Sequence, residues 1–165
     1  MKNSLEGHHR LRRAVRAAIA GTAVLATPCA FAATITVDSA GDGMNDNECT
    51  LRSAIMSANN NSSTGACAGG AGDADTIIFA ESVTGETITL AQGALPTIVA
   101  GSSLTIGNDA DTDVTIDANS MSRILANQGV LTLNGLNLIN GQTMSGSADA
   151  AERSGGAILN ADGGF

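Results

Sequence analysis

The sequence predicts an all-β chain that winds as a parallel β-helix, opened by one short capping helix and preceded by an export signal. Three observations lead to this. From Asp75 onward the chain is a run of very short strand candidates, bounded by Gly, Asn, Asp or Ser and without an intervening amphipathic helix, which excludes an α/β sheet. Thr alternates with Ile or Leu in these strands, so one face is apolar and the other carries hydroxyls. Similar triplets recur, as in Leu104-Thr105-Ile106 and Leu131-Thr132-Leu133, and Gly or Asn follows the strand ends in Gly107-Asn108, Asn134-Gly135 and Asn140-Gly141. A sandwich is the competing architecture, but these strands are shorter than sandwich strands usually are. In a solenoid, equivalent positions stack, so Ile and Leu form an inner column while Thr and Asn can ladder.

The first 32 residues read as a secretory signal peptide. Lys2, Arg10, Arg12, Arg13 and Arg16 form a basic start, the stretch from Ala14 to Ala26 is largely apolar, and Ala30-Phe31-Ala32 offers a small-x-small cleavage site before Ala33. The apolar run is short for a membrane span. Cys29 follows Pro28 where a lipidation site wants a small residue. Cleavage leaves 133 of the 165 residues, enough for one domain with a modest core.

Removal of the signal changes the charge. The whole chain is at net −8, but five of its eight basic residues and one of its sixteen acids lie in the signal. Three basic residues, Arg52, Arg123 and Arg153, then face fifteen acids, a net of −12. Such a surface repels nucleic acid and anionic lipid. His8, His9 and Lys2 leave with the signal, and the chain has no Trp or Tyr. Ser-His-Asp catalysis is therefore excluded in the mature part, as is stacking of sugars on Trp or Tyr. The sequence marks out no carboxylate pair for hydrolysis, and Phe79 reads as core.

The mature elements follow in order. Thr34-Ile35-Thr36-Val37 is an alternating strand. A polar loop from Asp38 to Glu48 leads to the one helical signal, in which Leu51, Ala54, Ile55 and Ala58 share a face. Thr50 is its N-cap, and Asn59-Asn60-Asn61 ends it. Cys49 and Cys67 are the only mature cysteines, so an oxidising compartment allows one pairing. That bridge would be worth roughly 3 kcal/mol. The further strands are expected over Thr76 to Phe79, Thr87 to Leu90, Thr97 to Val99, Leu104 to Ile106, Val114 to Ile116, Ile124-Leu125, Leu131 to Leu133, Leu136 to Ile139 and Ala157 to Leu159. A solenoid exposes an apolar end and unpaired edges at its first coil. A helix held by a disulfide would cover that end, with Leu51, Arg52 and Ile55 as its structural residues.

Two acidic groups are candidate Ca²⁺ ligands. Asp109, Asp111 and Asp113 alternate in one loop, with Asp117 after them, and Asp38, Asp42, Asp46 and Glu48 form a second cluster. Oxygen ligands of this kind can converge on Ca²⁺. The first group lacks the Gly and closing Glu of an EF-hand loop, and Asp also ends strands and caps turns by bonding to backbone, which is the favoured reading. No other cofactor is expected. The Asn61-Ser62-Ser63 sequon reads as chance behind a bacterial export signal.

The run Cys-Thr-Leu-Arg-Ser-Ala-Ile at 49–55, followed by Ala58-Asn59 and by Asp75-Thr76-Ile77-Ile78-Phe79, resembles the CSLREA domain of bacterial exported proteins. Ile88-Thr89-Leu90, Leu95-Pro96-Thr97-Ile98 and Leu104-Thr105-Ile106 look like its continuation into a right-handed parallel β-helix. The resemblance covers roughly Thr34 to Asp117. Ser53 stands where that family usually has Glu, so Arg52 must pair elsewhere, with Glu48 or Asp46 as the nearby acids. Gly155-Gly156-Ala157-Ile158-Leu159-Asn160 resembles half of the repeat of polymorphic outer membrane proteins, which are β-helical surface passengers, often autotransported or adhesive.

The resemblances imply a signal peptide at 1–32, a CSLREA-like cap with its disulfide at 33–75, and coils at 76–165 that stop in mid-repeat, as in a fragment of a longer surface protein. The expected function is structural and non-enzymatic: to cap and start a solenoid at the cell surface, outer membrane or extracellular space. Its partners would be a protein or glycan ligand and the missing C-terminal coils or anchor. The alternative is the N-terminal part of a β-helical polysaccharide lyase or hydrolase whose active site lies in coils beyond this chain.

Overall fold

The computed structural model describes residues 32–72, 74–107, 113–143 and 153–161. Among them are nine short strands and one helix: β1 (Thr34–Val37), α1 (Leu51–Asn60), β2 (Ala74–Phe79), β3 (Thr87–Thr89), β4 (Ser103–Ile106), β5 (Val114–Asp117), β6 (Leu125–Asn127), β7 (Val130–Leu133), β8 (Leu136–Ile139) and β9 (Ile158–Asn160). The chain is thus β-rich, as its alternating Thr and Ile require. The signal at 1–32 and the acids Asp109 and Asp111 lie outside the described residues, apart from Ala32. No helix among the described residues is long and apolar enough to cross a membrane.

Every named strand pairing is parallel. Three sheets result, ordered β1-β2-β4-β7, β3-β5-β8 and β6-β9. Parallel partners cannot be joined by a tight hairpin, so the chain must leave each sheet before returning to it. It does so in a fixed cycle: β4, β5 and β6 fall in the first, second and third sheets, and β7, β8 and β9 repeat that order.

Register turns the alternating sequence into columns. Ile35, Ile77, Ile106 and Leu133 are successive partners in the first sheet, and Ile88, Ile116 and Leu138 in the second. The first three of one set and the first two of the other belong to a single buried cluster, which also takes in Leu51 and Ile55 of the helix. The alternate positions bring Thr34, Thr76, Thr105 and Thr132 into one outward row. Period-two patterning and stacking therefore agree: apolar side chains meet apolar side chains in the next strand over, and hydroxyls face out.

The spans of β1 and β8 are those expected, and the other named strands shift by one or two residues at one end or, for β6 and β9, at both. One expectation fails. Thr97 to Val99 makes only an isolated bridge, Ile98 to Asn127. Ile98 donates to Ala126 O and accepts from Gln128 N, both at 3.0 Å. Its neighbours are drawn the other way, because the Asn59 side chain donates to Thr97 O at 2.8 Å and accepts from Val99 N at 3.3 Å. Those groups are thereby withdrawn from any ladder.

The turns carry the conformational strain. Asn140 and Gly135 have left-handed φ of 54° and 61°, as the Asn and Gly after strand ends suggest. Gly107 has φ 111°, and a Cβ there would collide with the backbone of Asn134 in the next layer. Glycine is required at that position by conformation and by close approach together.

A buried asparagine links the two strands of the third sheet. Asn127 is fully buried and pairs in register with Asn160. Its Nδ2 donates to Asn160 Oδ1 at 3.0 Å and to Gly129 O at 3.1 Å, while its Oδ1 accepts from Gly129 N at 3.1 Å. Asn127→Ala should cost about 1–3 kcal/mol, because buried Gly129 would keep an unsatisfied N–H and C=O. Urea denaturation reads this directly, and a loss within experimental error would show that water replaces the amide.

Candidate functional site

The helix and the loops around it form the most heavily bonded polar region among the described residues. Thr50 is its N-cap, with extended φ −87° and ψ 162°, and its Oγ1 accepts from Ser53 N at 3.2 Å. The Thr50 hydroxyl in turn donates to Gly43 O at 2.8 Å. Asn61 ends the helix with left-handed φ 50°. The predicted face of Leu51, Ala54, Ile55 and Ala58 is buried, and α1 packs on β1 and β2. Arg52, Ser53 and Ser57 are buried as well, which the one-sided pattern did not indicate. The loops at 38–50 and 62–72 cover the remaining faces: Ser57 O accepts from Ser62 N and Gly70 N, and Ser57 Oγ from Thr64 N.

The disulfide is present, Cys49 to Cys67, between side chains that are both buried. It ties the start of the helix to the loop after its end. Reduction should cost roughly 3 kcal/mol, since it frees an 18-residue separation in the unfolded chain. Melting with and without reductant tests this; an unchanged melting point would show that packing alone holds the loop.

Arg52 is the centre of the region, and its partner corrects the expectation. Neither Glu48 nor Asp46 reaches it. Asp42 does, with Nη2 2.8 Å and Nε 2.9 Å from the same carboxylate oxygen, Oδ1. The guanidinium also donates to Gly93 O at 2.8 Å, Ala94 O at 2.7 Å and Asp42 O at 3.1 Å. The other carboxylate oxygen of Asp42 accepts from Gln92 N at 2.8 Å. The side chains of Arg52 and Asp42 are 9% and 4% exposed. One ion pair thus joins the helix, the loop at 38–50 and the corner at 92–94. Its charges are compensated and its geometry is closed, so it suits a structural tie and offers no open position for a substrate.

The second acidic cluster is dispersed in the same way. Asp38 Oδ1 accepts from Cys49 N at 2.8 Å. Glu48 Oε2 accepts from the Ser39 hydroxyl and from Asn45 Nδ2, both at 3.1 Å. Asp42 is committed to Arg52 and Asp46 is exposed. Of the first group Asp113 and Asp117 are described: Asp113 is exposed, with left-handed φ 36°, and Asp117 Oδ1 accepts from Asn119 N at 2.7 Å and Asn140 Nδ2 at 2.9 Å. No group of three or more potential metal ligands converges among the described residues. No buried side-chain nitrogen or oxygen among them lacks a hydrogen-bond partner.

Sequence reasoning missed Asp75, Asn59 and Asn127. Asp75 is buried in β2 and its Oδ1 accepts from Ala33 N at 2.9 Å and Ala71 N at 3.1 Å, which holds the chain leading into β1. The available signal was an Asp at an inward position of an alternating strand, where an apolar residue belongs unless backbone donors meet it. No protein-family model matches the chain, and neither a curated protein nor a solved structure does.

Proposed function

We propose that the chain is the capped N-terminal start of an exported parallel β-helix, non-enzymatic, whose role is to close one end of the solenoid and present the other to further coils. The observation that carries this is the asymmetry between its two ends. At the β1 end the helix, the disulfide and the Arg52–Asp42 pair cover the apolar column. At the other end Leu131 and Leu133 of β7, Leu136 and Leu138 of β8 and Ile158 of β9 are only partly buried. Their inner equivalents, such as Ile106, Leu104, Ile116 and Leu125, are at most 2% exposed. Val130 and Ile139, at 45% and 41%, lie on the same last layer.

The cyclic order of the strands through three sheets supports a helical winding. The signal-like first 32 residues and the resemblance to CSLREA and polymorphic outer membrane proteins support export to a cell-surface protein, with an adhesive role for the later coils. A protein or glycan ligand and the anchor would belong to those coils.

Hydrogen exchange tests the reading. Amides of β1, β2 and β4 should exchange slowest and those of β7, β8 and β9 fastest, and coils added after residue 165 should slow the latter about tenfold or more. Equal protection at both ends, unchanged by the added coils, would sink the proposal.

A further inference from the structure

A cleft of about 320 Å³ opens on the flank of the molecule, and one wall begins at Ala94, whose carbonyl accepts from Arg52. This is within the range of small-molecule sites, roughly 300–1,000 Å³. Its floor includes Ala126 and Leu159, register partners in β6 and β9, together with buried Leu95. Met121, 63% exposed, stands at the rim. The polar residues are Thr97, Ser122, Arg123 and Gln142.

The walls are held by backbone bonds, so the cleft is preformed. Leu95 N donates to Ile124 O at 2.7 Å and Ile98 N to Ala126 O at 3.0 Å on one side. Gln142 N donates to Ser122 O at 2.9 Å on the other. The Ser122 hydroxyl donates to Arg123 O at 2.8 Å.

Charge selects the ligand class. After residue 32 the chain has three basic residues against fifteen acids. Arg52 is paired with Asp42 in the interior; Arg123, which has an interaction of its own within the chain, lines the cleft. A guanidinium pairs with a carboxylate through two parallel hydrogen bonds. The surrounding negative field opposes ligands of higher charge. We propose that this cleft binds a small monocarboxylate with an apolar body: the carboxylate on Arg123 and Gln142, the body on Ala126, Leu159 and Met121. Arg123 already has an interaction within the chain, and the entering carboxylate shares or displaces it.

The test uses the exported chain and hexanoate, followed by amide chemical shifts and calorimetry. Hexanoate should saturate shifts at 94–97, 121–126, 142 and 159. Hexanol, without the charge, and hexyl phosphate, with more of it, should bind at least tenfold more weakly, about 1.4 kcal/mol. Arg123→Gln should lower hexanoate affinity by at least that factor, and Arg153→Gln should leave it unchanged. Ala126→Leu fills the floor from an outward strand position and should abolish binding with the melting point retained, which keeps the test decisive if Arg123→Gln fails to fold. No saturable shifts with hexanoate, equal binding of hexanol, or undiminished binding by Ala126→Leu would each overturn the assignment.

Discussion

Asp42→Asn lowers the free energy of unfolding by about 3–5 kcal/mol, the expected cost of leaving one partner of a buried ion pair behind. The Arg52 side chain is 9% exposed, with little water to replace the carboxylate. The amide makes the fault worse. Both carboxylate oxygens are acceptors, one for Arg52 and one for Gln92 N, and an asparagine must turn its NH₂ group toward one of those donors. Against a total stability of about 5–15 kcal/mol this is a large fraction. The measurement is urea denaturation, with a lowered midpoint at unchanged slope. The pair Asp42→Leu with Arg52→Met should be more stable than Asp42→Asn alone, since it removes both charges. A loss from Asp42→Asn below about 1 kcal/mol would place the bridge with exposed ones and remove it as the tie between helix, loop and corner.

Leu51→Ala combined with Ile55→Ala destabilises by about 2–5 kcal/mol per site. Both side chains are fully buried, in the same cluster as Ile35 and Ile77 of the first two strands. The consequence beyond stability is association. With the helix loosened, the β1 edge and its apolar column meet solvent, and such an edge pairs with other chains. Sedimentation should show concentration-dependent oligomers for the double variant larger than any the parent chain forms at the same concentration. Wild-type stability together with an unchanged sedimentation profile would show that α1 covers nothing that needs covering.

The parts of the fold that came from periodicity were legible. Thr34 to Val37 alternates so regularly that strand and inward face follow from the residues alone; Leu136 to Ile139 does so up to the exposed Ile139, and β1 and β8 have those spans. The helix was legible through its cap and its i, i+3, i+4 spacing, because both are local effects. The Cys49–Cys67 bridge followed from these being the two cysteines after the signal-like first 32 residues. Thr97 to Val99 was misread because its backbone groups are claimed by Asn59, some forty residues earlier.

The region around Arg52 divides along the same line. That a lone arginine beside a buried helical face needs an acid is chemistry the sequence contains. Distance along the chain favoured Glu48 and Asp46, yet the loop at 38–50 folds back on its own side chains, with Glu48 turned to Ser39 and Asn45 and Asp42 brought inward. By itself, then, the sequence determined where nine strands lie to within a residue or two, which face of them is apolar, where the helix begins and which cysteines pair, since each rests on neighbours within a few positions or on elimination. The tertiary structure alone decided the parallel register that stacks Ile35 on Ile77 and Asn127 on Asn160, the choice of Asp42 for Arg52, and the cleft at Arg123. Those depend on which distant segments come to lie side by side, and the free energy that selects among such pairings is summed over the whole core.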